Sequence, residues 1–122
     1  MRILIIDGAN VVGARPDGWW KDRAGAAARL YDAVAAATLD DDEIVLVLEG
    51  AAKAGVPAVR TPGLRVVHAP KDGDSEIVAE ARRTYERGHL VRVVTADRAL
   101  AANVAAYAST VSPTWLLDRI GR

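Results

Sequence analysis

The sequence has 122 residues and is 51% hydrophobic, enough for one domain with a buried core but not for a second domain, so we treat residues 1–122 as a single domain. Lys plus Arg and Asp plus Glu both number 16, so any polyanion has to bind a local patch rather than a uniformly basic surface. The absence of Cys excludes a disulfide framework, thiolate zinc sites and a Cys nucleophile.

The apolar segment at the start of the chain predicts neither a membrane span nor a signal peptide. It meets Asp7 after a few residues, and no small-residue cleavage pattern follows it. We therefore expect a cytoplasmic protein with no membrane partner. The lack of Cys fits that reducing compartment.

The first predicted strand ends on a carboxylate. Arg2–Ile6 is an apolar run typical of a fully buried strand, and Asp7 follows it directly. Gly8 lets the backbone turn without a Cβ clash, and Asn10 adds an amide group within one turn of the acid. The strand therefore carries Asp7 to its own C-terminal end.

A turn and a helix follow. Pro16–Gly18 is a turn signal, and the adjacent Trp19 and Trp20 cannot face the same way, so at least one could fix this loop to the domain. Asp22 predicts the N-cap of a helix that extends to about Thr38.

The second strand repeats the ending of the first. Ile44–Leu48 is another continuous apolar run, and it ends in Glu49 and Gly50. The segment Ala51–Leu64 contains Gly and Pro with no clear period, which predicts a mobile loop. Leu64–His68 predicts a third, less apolar strand towards an edge of the sheet.

The remaining segments continue the alternation of helices and strands. They are a helix from Asp74 to Gly88, a strand over Leu90–Thr95, a helix from about Arg98 to Tyr107, a short strand at Thr110–Val111 and a helix from Pro113.

This alternation predicts an α/β fold: a three-layer α/β/α sandwich around a mainly parallel sheet of about four to five strands, of the Rossmannoid type. Ligands of such sheets bind outside the carboxyl ends of the strands. Asp7, Glu49 and Asp97 all follow strand ends, and Asp74 opens the helix after the third strand. We therefore expect four acids at one edge of the sheet.

Such a cluster of acids points to a cation. Two carboxylates about 4 Å apart repel each other by about 4 kcal/mol at an effective dielectric constant near 20, so the cluster must take up protons, spread apart or bind a positive ion. Oxygen ligands without nearby His or Cys favour Mg²⁺ or Mn²⁺ over Zn²⁺. A water activated by such an ion could hydrolyse a phosphodiester without a covalent intermediate.

Four short motifs together resemble an NYN domain of the PIN-like nuclease superfamily. They are Asp7-Gly8-Ala9-Asn10-Val11-Val12-Gly13, Leu48-Glu49-Gly50, Gly73-Asp74-Ser75-Glu76-Ile77-Val78 and Val94-Thr95-Ala96-Asp97-Arg98. They occur in order over about residues 1 to 112. The stretch from Arg15 to Arg23 is also similar to small stand-alone bacterial members.

The resemblance implies a metal-dependent ribonuclease that leaves 5′-phosphate and 3′-hydroxyl ends and often acts on structured RNA. By position, Asp7 would be the central metal ligand, with Asp74 and Asp97 as its partners. Asn10 would be a positioning group, and the Thr95 hydroxyl would lie near the attacking water.

The chain departs from the family pattern at Glu49. The second strand of the family usually ends in Asp-Gly, and Glu is one methylene longer. Glu49 could therefore reach the metal through a water, or it could leave a second ion site weak. The number of metal ions and the level of activity stay open at this point.

The predicted RNA-binding groups are basic residues on the loops at the edge of the sheet that carries the four acids, because they could contact an RNA backbone there. They are Arg15, Lys21, Arg23, Lys53 and Arg98. Trp19 or Trp20 could stack on a base, although packing of the loop explains them as well.

Other functions fit parts of this pattern. An RNA-binding PIN-like module with weak or lost catalysis is the main alternative, and a phosphoryl-transfer or receiver-type domain is a third. Asp74 and Asp97 could each be no more than a helix N-cap. The sequence also leaves open which RNA is cut, and whether the chain forms a homodimer or is held by an inhibitor protein.

Overall fold

A computed structural model describes residues 1–122 and contains one six-stranded sheet with helices on both faces. The strands are β1 (Arg2–Asp7), β2 (Glu43–Leu48), β3 (Arg60–Thr61), β4 (Leu64–His68), β5 (Leu90–Val94) and β6 (Ser109–Val111). Their order is β3-β4-β2-β1-β5-β6, and only the β3–β4 pair is antiparallel. The predicted α/β class and mainly parallel sheet are confirmed, and the two-residue β3 brings the number of strands to six.

Five α-helices surround the sheet. They are α1 (Gly8–Val12), α2 (Arg23–Ala36), α3 (Gly73–Glu86), α4 (Arg98–Val104) and α5 (Pro113–Arg119). Asp22 caps α2 as predicted, with its carboxylate accepting from the backbone N–H of Gly25 at 2.9 Å. The longest helices have 14 residues, and none of the helices could cross a bilayer.

The segment Ala51–Leu64, predicted to be a mobile loop, contains regular structure in two parts, a 3₁₀ helix and the strand β3. A 3₁₀ helix occupies Gly50–Gly55 and packs along α2 so closely that a Cβ on Gly55 would overlap the carbonyl of Ala24. Val56 is then buried in the core. Contact with α2 orders this segment, although its sequence shows no helical period.

The sheet has a core on each face, which explains why its central strands are apolar without interruption. Leu4 and Ile6 of β1 pack towards α2 and α5, whereas Ile3 and Ile5 pack towards α3 and α4. All four side chains are at most 3% exposed. The strand is therefore held from both sides up to its last residue.

The parallel register brings the ends of three strands to one edge. Asp7 of β1 is level with Val47 of β2, and Ile6 is level with Val94 of β5. Because β1 lies between β2 and β5, Asp7 lies between the residues that follow those two strands, Glu49 and Thr95. The topology alone thus sets the position of the candidate site.

A buried ion-pair network connects α3 to β4. Glu80 is only 4% exposed, and it accepts hydrogen bonds from Arg65 of β4 and from Arg83, whose Nη2 lies 2.6 Å away. Burial opposes ionisation of Glu80, but the hydrogen bonds and charges of Arg65 and Arg83 outweigh it and hold the pKa of Glu80 below its usual value. The ionised carboxylate therefore stabilises the fold.

We expect Glu80→Gln to lower the free energy of unfolding by roughly 1.5–3 kcal/mol at pH 7, because it removes charge-assisted hydrogen bonds from a buried site. Since the folded-state pKa of Glu80 is lowered, this contribution is complete above the unfolded-state pKa and is lost as pH falls through the folded-state pKa. Urea unfolding of both proteins over a pH series measures the difference.

The control is Glu86→Gln on the same helix, which breaks an ion pair with Arg82 between side chains that are 58% and 62% exposed. It should change stability by less than about 0.5 kcal/mol. Equal effects of the two substitutions would contradict the role given to Glu80.

Candidate functional site

Asp7 is the most constrained acid at the edge of the sheet where the parallel strands have their C-terminal ends. It is 4% exposed, and both carboxylate oxygens accept hydrogen bonds: Oδ2 from the Thr95 hydroxyl at 2.9 Å and Oδ1 from the backbone N–H of Asn10 at 3.3 Å. The next residue must be small, because a Cβ on Gly8 would lie 2.6 Å from the carbonyl oxygen of Val47. Tight packing against β2 therefore fixes the carboxylate at the strand end.

Side-chain hydrogen bonds join the end of β1 to the end of β5. Besides donating to Asp7, the Thr95 hydroxyl accepts from the backbone N–H of Asp97 at 3.1 Å. The Asn10 side-chain oxygen accepts from the backbone N–H of Ala96 at 2.9 Å. The amide nitrogen of Asn10 has no protein partner, so it can donate to a ligand.

Asp74 lies in the first turn of α3 without capping it. The N-cap is Asp72, whose carboxylate accepts from the backbone N–H of Ser75 at 2.7 Å. The alternative explanation of Asp74 as a helix cap is therefore wrong. Asp74 is exposed and takes part in no hydrogen bond or ion pair of the structure.

Asp97 is partly used as a cap. Its Oδ1 accepts from the backbone N–H groups of Ala99 and Leu100 at 2.9 and 3.1 Å, which fixes the start of α4. Its Oδ2 makes no hydrogen bond with the protein. Asp97 therefore serves the helix with one oxygen and keeps the other available.

Glu49 reaches from the end of β2 to the start of α3. A Cβ on Gly73 would lie 2.9 Å from Glu49 Oε1, so the absence of a side chain at Gly73 leaves room for the carboxylate. The structure thus brings Asp7, Glu49, Asp74 and Asp97 to one edge, with Asn10 and Thr95 among them.

The pKa values of two of the acids, Asp7 and Asp74, are raised. Burial raises the pKa of Asp7, hydrogen bonds from Thr95 and Asn10 oppose this, and the charges of Asp74 and Glu49 raise it further. Asp74 is exposed, but partial loss of its hydration raises its pKa, and the negative charges of Asp97 and Glu49 raise it further. None of the four acids forms an ion pair with Lys or Arg.

The donor set fits a hard cation in an open site. In the structure as it stands, no group of three or more His, Cys, Asp or Glu side chains is placed so that it could hold a metal ion. Mg²⁺, however, usually binds proteins through one or two carboxylates and keeps several waters. Uncompensated oxygen ligands of this kind suit such an ion better than they suit Zn²⁺, for which the site offers no His or Cys.

The predicted RNA-binding residues differ in their surroundings. Arg15 donates to the carbonyl of Arg122 at 3.3 Å, and Lys53 donates to the carbonyl of Ala69 at 3.1 Å. Arg23 stacks over the Trp19 ring, 4.8 Å from its centroid. The other two, Lys21 and Arg98, are exposed, and their side chains make no hydrogen bond or ion pair with the protein.

Sequence reasoning missed the backbone N–H of Ala96, which orients Asn10, and a cavity of about 470 Å³ next to Glu49. Trp19 and Arg23 line this cavity together with small residues, including Ala51 and Ala52. Two alanines in a short segment do not indicate a cavity wall in the sequence. The cavity depends on how the 3₁₀ helix Gly50–Gly55 packs.

The sequence matches no family model and no curated protein. Among solved structures, the chain is similar to a mutant of Rae1 (YacP) from Bacillus subtilis, with a TM-score of 0.77 and 20% sequence identity. The similarity covers 99% of this chain and 76% of that one. It shows that the two proteins share their fold.

Because Asp7 is buried beside other acids, we expect Asp7→Asn to stabilise the metal-free protein at pH 7, on the order of 1 kcal/mol or a few degrees in Tm. The folded-state pKa of Asp7 is raised, so the wild type gains stability relative to the variant as pH falls through that pKa. Thermal unfolding in EDTA over a pH series tests this.

The matched control is Asp118→Asn, at an exposed acid of α5, which should leave Tm unchanged. The prediction is wrong if Asp7→Asn is less stable than wild type at pH 7 and the difference in Tm does not change with pH. That result would show that the ionised carboxylate of Asp7 does not destabilise the folded protein.

Proposed function

We propose that this chain is a metal-dependent ribonuclease that hydrolyses RNA phosphodiesters at the acidic edge of the sheet. The observation that carries the proposal is the gathering of four acids without a compensating cation around the buried Asp7. The resemblance of the sequence motifs to NYN domains supports it. The fold shared with Rae1 is consistent with it.

The cofactor we propose is Mg²⁺ or Mn²⁺. Asp7 would hold it together with Asp74 and Asp97, of which one or both would act through a water, and Glu49 would contribute directly or through a water. When bound, the ion would neutralise the carboxylates, lower the pKa of a water and stabilise negative charge on the phosphoryl oxygens.

The remaining groups of the site act by positioning. The Thr95 hydroxyl holds one oxygen of Asp7 and, through its contact with the backbone of Asp97, keeps the two acids in a fixed relation. Asn10 is oriented by Ala96, so that its side-chain N–H groups can donate to a phosphate oxygen of the substrate.

The RNA backbone would contact the exposed basic residues beside this edge. Arg98 follows Asp97 directly, Lys21 lies on the segment between α1 and α2, and Arg23 is the first residue of α2. Arg15 and Lys53 would have to exchange a protein carbonyl for a phosphate, so we expect them to contribute less.

A second candidate function is an RNA-binding module without catalysis. The absence of a group of three or more side chains placed to hold a metal ion favours it, because a weakly held ion would leave the acids inactive. The two functions differ in whether RNA is only bound or also cut.

If the chain is a ribonuclease, the wild-type protein with Mn²⁺ should cleave single-stranded and structured RNA and leave 5′-phosphate ends. Asp7→Asn should reduce the rate at least about 100-fold, since loss of a residue that merely supports a metal ligand already costs about 10–100-fold. Gel electrophoresis of end-labelled RNA, with and without EDTA, measures the cleavage.

Asp118→Asn is again the control and should cleave within about twofold of wild type, because it lies on an exposed helix face. If the wild type binds RNA but cuts it with neither Mg²⁺ nor Mn²⁺, the second candidate function, an RNA-binding module without catalysis, is correct. Cleavage that survives in EDTA or in Asp7→Asn would exclude the proposed chemistry.

A further inference from the structure

The cavity of about 470 Å³ adjoins the acidic edge. Gly8, the residue after Asp7, forms part of its wall. Glu49 lines the cavity and also raises the pKa values of Asp7 and Asp74 through its charge. A ligand in the cavity would therefore lie directly beside a phosphodiester held at the acids.

Small residues keep the cavity open. Ala51 and Ala52 belong to the 3₁₀ helix Gly50–Gly55, which forms one side. Gly50 begins that helix with a φ of +56°, and no atom lies within 4 Å of the position of a Cβ there. The volume falls in the range of pockets that hold small organic ligands, about 300–1,000 Å³.

A fixed aromatic ring forms another part of the wall. Trp19 is stacked by the guanidinium of Arg23 at 4.8 Å, and the exposed Trp20 packs edge-on against it at 5.8 Å and 88°. These contacts hold the Trp19 ring in place before a ligand arrives. A ring held in this way loses little conformational entropy when a flat ligand stacks on it.

The two charged residues of the cavity, Glu49 and Arg23, suit the two parts of a nucleotide. Glu49 would repel a phosphate inside it but can accept hydrogen bonds from ring N–H and exocyclic amino groups. Arg23, beside Trp19, can meet the backbone phosphate that must accompany such a base.

We propose that this cavity binds one nucleobase of single-stranded RNA, in the nucleotide next to the bond that is cut. The position relative to the cut bond rests on the proposed ribonuclease function, whereas the base site itself does not. Base stacking on Trp19 and contact with the alanine wall would supply the affinity.

The test compares two substitutions on one 3₁₀ helix. Ala51→Leu fills the cavity, whereas Ala54→Leu adds the same side chain at an exposed position outside it. Affinity for a fluorescently labelled single-stranded RNA octamer is measured by anisotropy in Ca²⁺, which occupies oxygen sites. We expect Ala51→Leu to weaken binding about tenfold and Ala54→Leu by less than about twofold.

Single abasic positions moved along the octamer identify the bound base. One position should weaken wild-type binding about tenfold and have no further effect on Ala51→Leu, because both changes remove the same contact. Trp19→Ala, with its fold checked by circular dichroism, should reproduce that loss.

The base site is wrong if Ala51→Leu binds like wild type, if every abasic position has the same effect, or if the wild type does not bind the octamer. Cleavage in Mn²⁺ is scored separately on the same RNA. A protein that shows the abasic pattern but does not cut RNA refutes the ribonuclease and retains the base site. A protein that cuts RNA while Ala51→Leu binds normally refutes the base site alone.

Discussion

The structure depends on one energetically unfavourable feature: the carboxylate of Asp7 is buried at the end of the central strand β1. Asp7 is packed against β2 through Gly8 and bonded to β5 through Thr95, so its position is set by three strands at once. Burying a charge is unfavourable unless it is compensated, and the hydrogen bonds to Asp7 compensate only in part. An ordinary strand end has no need of such an arrangement.

The surroundings of Asp7 add to this cost instead of relieving it. Glu49 and Asp74 contribute further negative charge, and no arginine or lysine pairs with them. Elsewhere the same chain pairs its buried acids, as with Glu80 and two arginines. The contrast between the two sites supports the view that the missing positive charge at the edge is supplied by a ligand.

The sequence was sufficient for the parts of the fold that follow from periodicity. Two apolar runs predicted the central strands, and parallel connections then required their terminal acids to meet at one edge. It was insufficient where packing decides: Gly50–Gly55 has no period of its own and is ordered by α2. It also did not identify Asp72 as the cap of α3, because Asp is a good cap at either position and only the structure shows that Asp72 has the extended backbone of a capping residue.

The central claim is that these acids share a divalent cation, and anomalous diffraction from crystals soaked in Mn²⁺ tests it most directly. We predict a manganese peak at about 2.1 Å from a carboxylate oxygen of Asp7, with Asp74 or Asp97 as a further ligand or one water away. The claim is contradicted if no manganese peak appears near these acids at saturating Mn²⁺, or if the ion binds only to residues elsewhere on the chain.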